Sequence, residues 1–315
     1  MKDLAARCLM AGISGTSLTG ELRGLLEGGL GGVMLFERNV SSAQQLCSLT
    51  DSVRAAGPGA LIATDAEGGV NTNHLAAAGL PQGEGNRSLG ARDDLEYTRE
   101  VARELGMIVG GLGLNVVFGP CADLGSRPDN PIVGARSFGA DPELVARHTL
   151  AYATGLREAG IIACAKHFPG HGGTTKDSHL ELPAASLSDD DLVPFRAAVR
   201  AGIPMIMTAH VRYAGYGDAP ATLNPLLVAR LLREQIGFAG VVVTDALEMR
   251  AISDAFTPGE AAVAALAAGV DLVLIGDQAV DIPQVRDAIV TAVAQGRLAQ
   301  GRVEEAASRI LSLTP

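Results

Sequence analysis

Apolar residues fall into eight short, uninterrupted runs spread along the whole chain, at residues 8–13, 32–36, 60–64, 114–119, 161–166, 204–210, 241–245 and 271–276. A half-exposed strand alternates apolar and polar positions. Runs without alternation are expected of parallel strands covered on both faces. Between them lie longer stretches with helical spacing, among them residues 42–57, 93–111, 141–160 and 226–240. Ser41 and Ser42 before the first of these, and Asp141-Pro142 at the start of the third, are helix-start signals. A short oxygen-bearing side chain accepts an unpaired first-turn N–H, and proline suits the first turn. Gly57, Gly160, Gly202 and Gly269 stand where a left-handed residue ends a helix.

Eight strand–helix units in this length predict an α/β fold, a single (β/α)8 TIM-type barrel with residues 1–315 as one domain. An open doubly wound sheet is the competing architecture. The connections favour the barrel. Links from helix to strand are short, whereas those after strands are long and polar, at roughly residues 66–93, 120–141, 168–191, 211–223 and 246–258. Long loops gathered at one face are what a barrel uses to build a site over the C-terminal ends of its strands. No linker, repeat of another period or low-complexity tract interrupts the pattern.

Composition narrows the classes. The 315 residues are 47% hydrophobic, and the formal net charge is −10. An acidic chain is a poor non-specific binder of nucleic acid or of an anionic membrane, because phosphates are held by an excess of lysine and arginine. The four cysteines, Cys8, Cys47, Cys121 and Cys164, form no CxxC pair, and three of them lie in or within two residues of apolar runs. Buried, reduced thiols are expected. The N-terminal residues show no signal-peptide pattern, and no apolar run reaches the ~18 residues of a membrane span. The expectation is a cytoplasmic protein with no obligatory protein partner.

The predicted strand ends carry ionisable groups: Asp65, Asp123, Lys166 with His167, His210, and Asp245. Such groups clustered on one rim carry desolvation costs that a barrel without a ligand would avoid. Together they read as an active site, although His210 or Asp123 alone reads equally well as a structural group. Half of the six histidines lie in residues 165–183, among glycines and threonines, where metal site, catalytic loop and plain surface loop are all open readings. A metal-dependent hydrolase is poorly served, since HxH on the first strand and HExxH are both absent. A Schiff-base Lys166 would need a destabilised ammonium, which His167 and the nearby carboxylates do not favour. Glycoside cleavage suits the set better. Asp245, held rigidly at a strand end, fits a carboxylate nucleophile. Asp65 can accept hydrogen bonds from sugar hydroxyls, while Arg136, Lys166 and His167 supply donors. No second carboxylate is placed as the acid.

Several segments together resemble glycoside hydrolase family 3: KHFPGHGGTTKDSH at 166–179, GARSFGADP at 134–142, MTAHV at 207–211 followed by PATLN at 220–224, and GFAGVVVTDALEM at 237–249. GGVMLFERN at 31–39 and TDAEGG at 64–69 keep the same order. The chain is similar to the single-domain bacterial β-N-acetylglucosaminidases of that family. The resemblance implies Asp245 as nucleophile, His179 as acid/base with Asp177 as its dyad partner, and Asp65, Arg136, Lys166 and His167 as binders of N-acetylglucosamine. It further implies a retaining, metal- and cofactor-free exo-enzyme acting on muropeptide-like glycosides in peptidoglycan recycling, with a phosphorylase of the same family as the alternative. Residues two apart in an extended loop can face the same way, so Asp177 can orient the His179 ring. A histidine titrates near working pH and can serve as acid and then base. On this reading Lys166 and His167 are fixed donors, and residues 168–176 are the hinge and span of a movable lid. One departure bears on the substrate: residues 70–74, VNTNH, lack the arginine common in the family, leaving Asn73 or His74 to replace it.

Overall fold

The computed structural model describes residues 1–69, 73–277 and 279–313. All eight apolar runs form strands: β1 (Leu9–Gly12), β2 (Gly32–Leu35), β3 (Leu61–Thr64), β4 (Val116–Val117), β5 (Ile162–Phe168), β6 (Met205–Thr208), β7 (Val241–Thr244) and β8 (Val273–Ile275). From β1 to β7 each strand pairs in parallel with the next, and β1 also pairs with β8. Between β7 and β8 the ring closes through a bridge between Val243 and Leu272 and through the Thr244 hydroxyl, which accepts from the Leu274 N–H at 2.9 Å. The result is a (β/α)8 barrel, not an open sheet.

Strand periodicity sorts the apolar residues into two cores. Met10, Met34, Leu61, Ala63, Val116, Phe118, Cys164, Met205, Met207, Val241, Val243 and Leu274 point inward and fill the barrel. Their neighbours Leu9, Val33, Ile62, Val117, Ala163, Ile206, Val242 and Val273 point outward against the helices. This is why the runs do not alternate: both faces of every strand are dry. Among the described residues no helix is long and apolar enough to cross a membrane.

The helix signals act as expected at most ends. Ser42 accepts from the Gln45 N–H at 3.2 Å, and Asp141 accepts from Glu143 at 2.8 Å. Gly160, Gly202 and Gly269 have φ of +76°, +75° and +111°. Gly57 does not follow: its φ is −134°. Pro58 comes next, and the ring of a proline forces the preceding residue toward extended backbone. Gly59, with φ +85°, takes the left-handed position instead. The expected helix at 226–240 winds wider than an α-helix, with five-residue hydrogen bonds such as Arg230 N–H to Pro225 C=O, over Leu226–Gln235.

The N-terminal end of the barrel is tied by the fully buried Asp271. It accepts from Arg233, Arg302 and Arg309, and from the Val242 N–H at 2.9 Å. Removing the carboxylate leaves three guanidinium groups without their shared counter-charge. Asp271→Ala is expected to lower folding stability by about 3–5 kcal/mol in urea titration; a loss under about 1 kcal/mol would contradict this account.

Candidate active site

At the C-terminal rim the strand ends and the long loops enclose a cleft of about 1040 Å³. Asp65, Arg136, Lys166, His167, His179 and Asp245 all line it. Asp177 stands behind His179. The seven residues singled out from the sequence therefore meet at one end of the barrel.

Lys166 and His167 close β5. The ladder to β6 shifts register between Ala165 and Phe168, and both side chains in that irregular stretch reach the cleft. Lys166 is buried, with Nζ 2.5 Å from Asp65 Oδ1 and 2.5 Å from Glu67 Oε1. Burial disfavours the ammonium, but the two carboxylates outweigh it and hold the Lys166 pKa above its ordinary value. A Schiff-base role, which needs the opposite shift, does not fit. Glu67 also receives the Arg136 guanidinium in a two-pronged pair at 3.0 and 2.7 Å. Burial alone would raise the Glu67 pKa; Arg136 and Lys166 bring it well below the usual carboxylate range. Glu67 escaped the sequence reading as a separate site residue, although it stands two positions after Asp65 in TDAEGG.

His167 is held from behind. Its Nδ1 lies 2.6 Å from Asp123 Oδ2, which directs Nε2 toward the cleft, 3.4 Å from the Arg136 guanidinium. Asp123 itself is fully buried and does not line the cleft. The Cys121 thiol, 3.3 Å away, is a further donor to it. Cys121, Asp123 and His167 place possible metal-donor atoms within 4.8 Å of one another. Burial first, and then the Asp123 charge, push the Cys121 thiol far above its ordinary pKa. In the arrangement shown, the Cys121 thiol and the His167 ring both hydrogen-bond to the Asp123 carboxylate.

Asp245 follows β7. Its Oδ1 accepts from the Ala246 N–H at 2.8 Å. Burial works to raise its pKa, but His210, His167, that N–H and Lys166 together lower it. The carboxylate stays ionised, and among the described residues no cation is clamped on it. His210 is fully buried and off the cleft, with one ring nitrogen 2.7 Å from the Thr222 hydroxyl and the other 2.9 Å from the Ala246 carbonyl. It braces the turn that carries Asp245. Glu248, another residue not singled out beforehand, lines the cleft three positions further on; burial raises its pKa, and it accepts from the Gly276 N–H at 3.0 Å.

His179 Nδ1 is 2.8 Å from Asp177 Oδ1, and the same oxygen accepts the His179 N–H at 2.8 Å. Among the described residues no partner is bonded to the other ring nitrogen, Nε2. The glycine-rich stretch before the dyad is not a hinge throughout. From Phe168 to Thr174 it is buried apart from half-buried Gly173. Tyr213 Oη donates to the Gly170 carbonyl at 2.6 Å. A Cβ on Gly172 would stand 1.8 Å from the Leu124 carbonyl oxygen. Gly172 is thus required for close backbone approach, and Gly170 for its φ of +136°; the exposed span begins only at Thr175. Of the two candidates to replace the arginine, Asn73 is spent on its own loop, donating to the Leu80 and Pro81 carbonyls and accepting from Leu75. His74 lines the cleft beside Phe36, with ring centres 5.5 Å apart. Residues 70–72 of that segment lie outside the described residues.

Burial works to raise the Asp123 pKa, but His167 and the bonds from His167 and His171 bring it to about 2, from an ordinary 3.8. A carboxyl depressed in the folded state adds stability above its unfolded pKa and loses it as pH falls through the folded one. Asp123→Asn should therefore be less stable than the parent at neutral pH. The gap should narrow by roughly 2 kcal/mol as pH falls from about 4 to about 2. Chemical denaturation across that range tests this, and a gap independent of pH would contradict it.

Residues 18–313 match the model of the glycosyl hydrolase family 3 N-terminal domain. A β-hexosaminidase of Alkalilimnicola ehrlichii is 37% identical over 289 residues, covering 88% of this chain and 82% of that protein. β-Hexosaminidase A of Pseudoalteromonas piscicida is also 37% identical, over 78% of this chain but only 46% of its own length. The structure of a family 3 β-N-acetylglucosaminidase from Paenibacillus sp. str. FPU-7 superposes with a TM-score of 0.95 at 37% identity, covering 99% of this chain and 62% of that one. The chain thus spans between about half and two thirds of some of its relatives and most of others. With the family model matched over nearly its full length, and the strand-end residues gathered in one cleft, this chain belongs to glycosyl hydrolase family 3.

Proposed function

We propose that the chain is a retaining, exo-acting β-N-acetylglucosaminidase that releases terminal N-acetylglucosamine from muropeptide-like glycosides. One observation carries the reading: an ionised carboxylate without a cation clamp, Asp245, shares a cleft with a histidine whose free Nε2 is backed by a carboxylate. Protonated His179 gives its Nε2 proton to the glycosidic oxygen as the Asp245 carboxylate attacks the anomeric carbon. The C1–oxygen bond breaks, the aglycone leaves as an alcohol, and a glycosyl ester forms on Asp245. Neutral His179 then takes a proton from water, whose oxygen displaces Asp245 and restores both groups. Asp177 holds the ring in one tautomer, with Nδ1 toward its Oδ1. Asp65, Lys166, Arg136 and His167 bind sugar hydroxyls in this scheme. Lys166 and Arg136 are already neutralised by Asp65 and Glu67, so they offer directed N–H groups and little excess charge, which suits a neutral sugar. The similarity to proteins named as β-hexosaminidases and β-N-acetylglucosaminidases supports the same substrate class.

Turnover of aryl N-acetyl-β-glucosaminides tests the assignment. Asp245→Ala should abolish it. His179→Ala should lower kcat/KM by roughly 10²–10⁴-fold on phenyl-type leaving groups and little on dinitrophenyl ones. Equal losses on both would contradict the acid/base role. The product should be the free sugar with or without inorganic phosphate; sugar 1-phosphate would show that phosphate, not water, is the acceptor.

A further inference from the structure

His171 is the one histidine of the 165–183 segment without a part in this scheme. It is 1% exposed, and its ring meets that of His167 edge-on, with centres 5.9 Å apart. Both of its ring nitrogens are engaged within the loop that carries the dyad. Nδ1 is 2.9 Å from the Thr174 hydroxyl and Nε2 is 3.2 Å from the Ser178 hydroxyl.

The direction of these bonds follows from counting protons. The single Thr174 hydroxyl proton is donated to the His171 carbonyl at 3.0 Å, and the Thr174 hydroxyl oxygen also accepts from Asn130 Nδ2 at 3.3 Å. Toward His171 it can then only accept, so Nδ1 carries the ring proton and Nε2 presents a lone pair. The Ser178 hydroxyl donates to that lone pair. Burial, with His167 beside it, lowers the His171 pKa to about 4, which keeps the ring neutral and the lone pair available.

Ser178 stands between Asp177 and His179. It is 1% exposed, whereas the His179 side chain is 61% exposed. The Ser178 carbonyl also accepts from the Ala251 N–H at 3.2 Å, on the loop that begins at Asp245. Ser178 therefore ties the dyad segment by its hydroxyl to His171 and by its carbonyl to the loop after Asp245.

We propose that His171 and Ser178 form a latch that positions the acid/base histidine: the Ser178 hydroxyl, held by His171 Nε2, fixes where His179 stands relative to the bound sugar and Asp245. Neither residue touches the reacting atoms; both are positioning residues. The inference rests on the reading of His179 as acid/base.

Its test is leaving-group dependence, because misplacement of an acid is felt only where an acid is needed. Ser178→Ala should lower kcat/KM on a phenyl N-acetyl-β-glucosaminide by roughly ten- to a hundred-fold and change it less than about three-fold on the dinitrophenyl glycoside. Ser178→Thr, which keeps the hydroxyl, should recover most of the loss. In a His179→Ala background Ser178→Ala should add nothing. Equal losses on both substrates, no loss on either, or an added loss in the His179→Ala background would overturn the latch while leaving the dyad intact. If His179→Ala itself shows no leaving-group dependence, the acid/base reading falls and the latch with it.

Discussion

One buried carboxylate organises the catalytic end of this barrel. Asp123 is fully removed from water and stays charged because four donors converge on it: the His167 ring, the His167 and His171 N–H groups, and the Cys121 thiol. A buried charge is tolerated only when so compensated. The compensation fixes geometry in return. It ties the loop after β4 to the end of β5, selects the His167 tautomer, and sets the backbone at His171, from which the dyad segment is held. The proposed binding floor and the loop of the proposed acid/base histidine thus hang from the same two oxygens.

Elsewhere in the cleft, charges are divided by task. Asp65 and Glu67 are clamped by Lys166 and Arg136, a set of two anions and two cations that presents directed donors with little net field. Asp245 has no such clamp. Its charge is sustained from a distance by His210, His167 and Lys166 and by one backbone N–H, which leaves its outer oxygen unencumbered. A nucleophile locked in an ion pair would have to break that pair to react. In the proposed mechanism, separating the clamped carboxylates from the free one lets a single pocket both grip a polar sugar and attack it.

Much of this was legible in the sequence, and for a definite reason. In a parallel barrel both faces of each strand are buried, so a charged residue ending an apolar run has nowhere to go but the rim; Asp65, Lys166, His167 and Asp245 were visible on that basis alone. Asp177 and His179 were visible through the family resemblance and their two-residue spacing. What stayed hidden depends on contacts between distant segments. Glu67 matters because Arg136, 69 residues later, reaches it. Gly170 and Gly172 read as hinge residues, yet Gly170 is required by its φ of +136° and Gly172 by the Leu124 backbone pressing on it. Gly57 read as a left-handed helix end, and a neighbouring proline moved that role to Gly59. His171 gained a role only once Ser178 was seen beside it.

The central claim is that a fixed, ionised Asp245 forms a covalent bond to the sugar. It is tested most directly by trapping with a 5-fluoro N-acetylglucosaminyl fluoride, followed by proteolysis and mass mapping. The account predicts one equivalent of label, carried by the peptide that contains Asp245 and lost on incubation with an acceptor alcohol. Label on any other residue, or full inactivation without a covalent adduct, would contradict it.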